Sequence, residues 1–192
     1  DLLTLLNEIA RSVAKAVSAR LLPAEAARLA RRVEIDEPAL RHYLKGRYFW
    51  AQRGPEALAK AIAEFTACAS EAPAFAPAHV GLADSAILMA MYGIEAPLAA
   101  ADRARAHLAK GVALDPEGAE AQTALGALRL FFDRDLDGAE RAFVRALAQN
   151  PSYTTAYLAY GDLMMVRGEC ERGLGLIREA RRRGITMCGT GP

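Results

Sequence analysis

A recurring spacing constrains this chain more than any single residue does. Between residues 138 and 151 the stretch GAERAFVRALAQNP places Ala139, Phe143, Ala146 and Pro151 four, three and five residues apart. The first three fall on one face of a helix, and the proline follows the point where that helix must stop. AIAEFTACASEAP repeats the spacing with Ala61, Phe65, Cys68 and Pro73, and ARAHLAKGVALDP repeats it with Ala104, Leu108, Gly111 and Pro116. A further stretch, GLGLIREA, holds Gly173, Ile177 and Ala180 but no closing proline. The three prolines lie 43 and 35 residues apart. That is close to a period of about 34 residues with insertions.

Each copy follows another helical stretch with its own small residue: Gly46 in LKGRYFW, Ala83 in GLADSAI, Gly126 in ALGALRL and Gly161 in AYGDLMM. From these small sites to the first residue of the next motif is 15, 21, 13 and 12 residues in turn. The extra residues therefore fall between the two helices of each unit, in QRGPEA, YGIEAP and DRDLDG. Small residues at such sites let antiparallel helices approach closely. The helices predicted are 2–21, 24–33, 37–52, 55–71, 76–91, 97–114, 118–132, 136–149, 152–167 and 170–183.

On these motifs the chain resembles a tetratricopeptide (TPR) array, a repeat of about 34 residues built as helix-turn-helix. The resemblance implies an all-α, right-handed superhelical solenoid of antiparallel helix pairs. About four units are expected over 37–184, at 37–73, 74–116, 117–151 and 152–184, after an N-terminal helical extension at 1–36 and before an irregular tail at 185–192. The expected signature positions are Gly46, Ala61, Phe65, Cys68, Pro73, Ala83, Ala104, Leu108, Pro116, Gly126, Ala139, Phe143, Ala146, Pro151, Gly161, Ile177 and Ala180. Upstream, LLTLLNEIARSVAKAV followed by EPALRHYLKGRYFW resembles the junction between a TolB-like domain and its TPR array in some bacterial signalling proteins. In those proteins the array accompanies a winged-helix domain, a nucleotide cyclase or a kinase. This likeness implies a regulatory module from a longer parent, and the chain opens at Asp1 rather than at methionine.

Composition agrees with helix. Valine, isoleucine and threonine, which lose χ1 freedom in a helix, are sparse beside alanine, leucine, arginine and glutamate. A formal net charge of +1 gives no reason to expect nucleic acid or an anionic membrane as partner. Three cysteines without CxxC spacing argue against a disulfide framework and point to a reducing compartment, the cytoplasm. The alternative is a periplasmic portion of a membrane-anchored regulator. No run reaches the roughly 18 apolar residues of a membrane span.

Catalytic signals are weak. Asp133, Asp135, Asp137 and Gly138 match the start of a calcium loop, but the position for its bidentate glutamate holds Val144. Asp137 reads instead as a helix N-cap. His42, His79 and His107 lie in different units and lack zinc-ligand spacing. Cys68 occupies a core-alanine site, whereas Cys188 sits in the tail GITMCGTGP. Arg178 and Arg181–Arg183 read as a cationic helix end rather than a nucleic-acid patch. No catalytic constellation, metal site or cofactor is expected, although a longer parent could carry an enzymatic domain.

The surface that could bind is the face presented by the first helix of each unit. It comprises Tyr43, Arg47 and Trp50, then Val80, Asp84, Ile87 and Leu88. It continues with Thr123, Ala127, Leu130 and Phe131, and ends with Leu158, Asp162 and Met165. The lysines and asparagines of the TPR subtype that clamps a peptide carboxylate are missing from it. A protein or peptide partner, or another domain of the parent, is expected. The alternative is a homodimer through the open solenoid end or through the stripe Leu2, Leu3, Leu5, Leu6, Ile9, Val13, Ala16 and Val17.

Overall fold

The computed structural model describes residues 35–183. The leucine stripe, the helices expected before residue 34, Cys188 and the tail lie outside the described residues. Eight helices run through the rest: α1 Glu37–Gln52, α2 Pro55–Glu71, α3 Ala76–Met91, α4 Pro97–Leu114, α5 Ala119–Leu128, α6 Leu136–Gln149, α7 Thr154–Val166 and α8 Cys170–Arg182. α5 continues into a π-helical turn over Arg129–Asp133.

Proline opens the first four helices, at or next to the first helical position, where its missing N–H is not needed. α6 opens differently. The Asp135 carboxylate accepts the Gly138 backbone N–H at 2.8 Å, so the N-cap is Asp135 and not Asp137. Asp137 already lies inside the helix, and its carboxylate pairs with Arg167 at 2.6 Å. α6 starts at Leu136, as its periodicity predicts, so the residue before it, Asp135, takes the cap position.

Helices pack chiefly in the pairs α1–α2, α3–α4, α5–α6 and α7–α8, with the next most extensive contacts to neighbouring pairs. Across units the first helices also touch one another, α1 to α3 to α5 to α7. The second helices lack comparable contacts with each other. The stack is therefore tighter on the first-helix side and curves around it, leaving α1, α3, α5 and α7 along the concave face.

The motif residues explain the pairing. Phe65 and Phe143 are fully buried, each lying over a small residue of the preceding helix. A methyl added at Gly46 would sit 2.6 Å from the Phe65 ring, so the ring's position depends on the missing side chain. Ala61, Cys68, Ala83, Ala104, Leu108, Ala139, Ala146 and Ala180 are buried as well, as are Gly126 and Gly161, and Ile177 is half-buried. Burial pushes the Cys68 thiol up to about 11, leaving it a small apolar filler rather than a nucleophile.

The three prolines are not core residues. Pro73 and Pro116 are exposed and Pro151 is half-exposed, because they serve the turn rather than the packing. Their carbonyls are the functional atoms. Six residues after each one, a side chain from the next first helix reaches back: His79 Nε2 lies 2.9 Å from the Pro73 oxygen, Gln122 Nε2 donates to Pro116 at 2.6 Å and the Tyr157 hydroxyl to Pro151 at 3.1 Å. Three unlike residues thus make the same clasp, tying each unit to the turn before it.

Candidate concave binding groove

The residue just after each small site is carried onto the concave face, because its predecessor is pressed against the paired helix and the next residue points about 100° away. This gives the series Arg47, Asp84, Ala127 and Asp162, one from each first helix. Tyr43, Arg47, Trp50, Asp84 and Glu120 line a small notch of ≈ 10 Å³ between α1, α3 and α5, about the room of one water. Tyr153, in the turn before α7, interacts electrostatically with Asp84, Arg47 and Glu120 from the far side.

Asp84 governs the electrostatics. Its carboxyl accepts no hydrogen bond and has no ion-pair partner within 4 Å among the described residues. Burial pushes its pKa up to about 7, although Arg47 and Arg53 pull it down. The burial cost of its charge is only partly offset. Asp162 is raised in the same direction by burial alone. Tyr43 is raised too, chiefly by burial, while a hydrogen bond with Arg47 works against the shift. For Tyr153 burial again dominates and the phenol stays neutral.

At the α1 end two guanidinium groups cover Trp50, Arg53 at 3.8 Å and Arg47 at 5.4 Å from its ring centre. Arg53 holds a left-handed backbone, φ 57°, in the turn between α1 and α2, and that conformation brings its side chain over the indole. The Trp50 ring is buried, and its Nε1–H has no partner.

Not every expected groove residue is available to a ligand. Trp50, Val80, Ile87, Thr123 and Leu130 are buried, whereas Tyr43, Arg47, Asp84, Leu88, Ala127, Phe131, Leu158 and Met165 keep partial exposure and Asp162 is exposed. Ile87 packs in the core between the second and third units. Leu130 packs with Phe143, Tyr160 and Leu163, since the π turn rotates it off the concave face and into the core. Glu120, Arg53 and Tyr153 were not expected there. The signal for Tyr153 was its place two residues after Pro151, and for Glu120 its place in the first turn of α5.

Other candidates resolve plainly. His79 and His107 stack with centres 6.4 Å apart, and among the described residues no group of three or more potential metal ligands converges. Arg182 and Arg183 both bind Glu179, and Arg183 also donates to the Pro151 carbonyl. No described helix is long and apolar enough to cross a membrane.

Comparison with solved structures places this geometry. A thermophilic TPR protein of Thermus thermophilus superposes with a TM-score of 0.64 at 14% identity, covering 79% of this chain and 76% of that one. The chain has the tetratricopeptide fold. The TPR domain of Arabidopsis OM64 superposes with a TM-score of 0.50 at 20% identity, covering 67% of this chain and 96% of that domain. No protein-family model matches the sequence, and no curated protein matches it significantly. Within the TPR fold, the described groove is the inner surface formed by the first helix of every unit.

Proposed function

We propose that this chain is a non-catalytic interaction module whose concave groove holds an extended segment of another protein. The observation that carries the reading is the convergence of Tyr43, Arg47, Asp84, Glu120 and Tyr153, from four successive units, on one solvent-reachable surface. Ionisable groups left incompletely paired in such a place are costly to the fold and useful to a ligand. The notch is far smaller than the roughly 300 Å³ or more of small-molecule pockets, which favours a chain laid along the groove over a compact ligand. The TolB-like resemblance supports a place within a longer bacterial signalling protein, and the cysteine usage supports a cytoplasmic one.

Selection of displayed random peptides on the full chain tests this. Trp50 is the only tryptophan, so peptides seated in the groove should alter its emission. Charge reversal at Arg47 should weaken them at least tenfold, and reversal at Arg145, exposed on α6, should not. Peptides that ignore both Trp50 and Arg47 would sink the reading.

A second reading is a homodimer. Leu44 and Tyr48 are 55% and 64% exposed on α1, in the first of the described units. Light scattering across a concentration series, for the chain and for one lacking residues 1–22, decides it. A concentration-dependent dimer lost on truncation supports self-association.

A further inference from the structure

The concave surface differs from the rest of the molecule in how its carboxylates are treated. Past the first turn of each helix, every described glutamate and aspartate has a cationic or histidine partner, except two. Glu64 and Glu71 lie against His42, Asp102 and Asp133 bind Arg105, Glu140 binds Arg167, and Glu179 binds Arg182 and Arg183. The exceptions are Asp84 and Asp162. They occupy the same repeat position, directly after Ala83 and Gly161, and both face the groove. Glu120, also without an ion-pair partner among the described residues, lies beside Asp84. A second observation comes from the same notch: Trp50 is 9% exposed, and its Nε1–H donor has no acceptor.

We propose, resting on the groove reading above, that the segment held there is basic, with one lysine or arginine side chain seated against Asp84 and Glu120 and a second against Asp162. Charge complementarity chooses this occupant over an acidic one. An acidic segment would bring like charge to three carboxylates that have no ion pair within 4 Å among the described residues, and that repulsion disfavours it. Arg47 and Arg53 repel a basic residue at the α1 end and so fix the segment's position along the groove.

The spacing follows from the stack. Asp84 on α3 and Asp162 on α7 are two first-helix steps apart, about 16–20 Å at 8–10 Å per packed helix. An extended chain rises about 3.3 Å per residue, so the two basic residues should be about five or six apart. The groups facing Asp84 are Tyr43, Arg47 and Arg53 from the first unit, Glu120 from α5, and Tyr153. A cation arriving among them favours ionised Asp84, so binding should release a proton near neutral pH and tighten as pH rises from 6 to 8.

The test uses the full chain and synthetic twelve-residue peptides of one neutral, extended background. One series carries a lysine pair at separations from three to eight residues, and a matched series carries glutamate. Binding is read by anisotropy and by Trp50 emission. The expected result is a preference of tenfold or more for lysine, greatest at a separation of five or six. Asp84→Asn and Asp162→Asn should each reduce that preference severalfold while circular dichroism stays unchanged. Asp162 is exposed, so its variant tests the idea even if Asp84→Asn perturbs the fold. Glutamate peptides that bind as well as lysine ones and still shift Trp50 would overturn the basic partner and leave the groove reading standing. Peptides of neither series reaching Trp50 would overturn both.

Discussion

Replacing Asp84 with asparagine should make the protein more stable, by an amount that grows from about pH 4 and levels off above neutral pH. Asp84 is a half-buried carboxyl whose pKa is pushed from an ordinary 3.8 up to about 7 by burial, against the pull of Arg47 and Arg53. For an acid raised on folding, the native state favours the neutral form. The associated stability is fully present below the unfolded value and is lost as pH rises through the folded one. A rise of about three pH units corresponds to at most about 4 kcal/mol at ~1.36 kcal/mol per unit. Water along the groove relaxes the charge, so about 1–2 kcal/mol is the realistic gain for the isosteric amide. With a urea slope of about 1–3 kcal/mol per molar, the unfolding midpoint should rise by roughly 0.5–1 M at pH 8.5. At pH 3.5, below the unfolded value, the two proteins should unfold together. The reasoning is refuted if asparagine destabilises at pH 8.5, or if its effect is the same at both pH values. A stabilised variant that has also lost basic peptides would show that the groove trades stability for recognition.

Four further outcomes follow from packing and hydrogen bonding. Gly46→Ala should cost about 1–3 kcal/mol, since its methyl meets the fully buried Phe65 ring. Gly175→Ala meets nothing within 4 Å and should add up to about 1 kcal/mol, so thermal melting separates the pair by sign. Gln122→Leu removes the clasp on the Pro116 carbonyl and should cost about 1–2 kcal/mol, with faster amide exchange at the junction of the second and third units. Arg167→Ala deletes bonds to both Asp137 and Glu140 and should loosen α7 against α6, lowering the melting temperature by a few degrees.

Helix positions and helix pairing were legible because they rest on short-range periodicity: the four-three spacing puts Phe65, Leu108 and Phe143 on buried faces whatever the rest of the chain does. The groove was only partly legible. Arg47, Asp84 and Asp162 could be placed because a fixed offset from Gly46, Ala83 and Gly161 sets their direction. Glu120 and Tyr153 come from the ends of elements, where direction depends on the turn and not on helical period. The clasp eluded any pattern search because histidine, glutamine and tyrosine do one job, recognisable only once the proline carbonyls are located in space. Trp50, Ile87 and Leu130 read as groove residues on a helical wheel, yet they are buried in the seams where neighbouring helices meet.

The π turn at Arg129–Asp133 is matched by a difference in residue counts. From Gly126 to Ala139 is 13 residues, whereas the equivalent stretch in the last unit, Gly161 to Gly173, is 12. A π turn holds one residue more than the α turn it replaces. The surplus residue therefore did not lengthen the loop; the helix swallowed it as a bulge, with Arg134 turning the chain out at φ 57°. Seen this way the third unit matches the last one with a single residue added inside its first helix. Deleting one residue from this turn should restore an unbroken helix and turn Leu130 back toward the concave face, loosening its packing with Phe143, Tyr160 and Leu163.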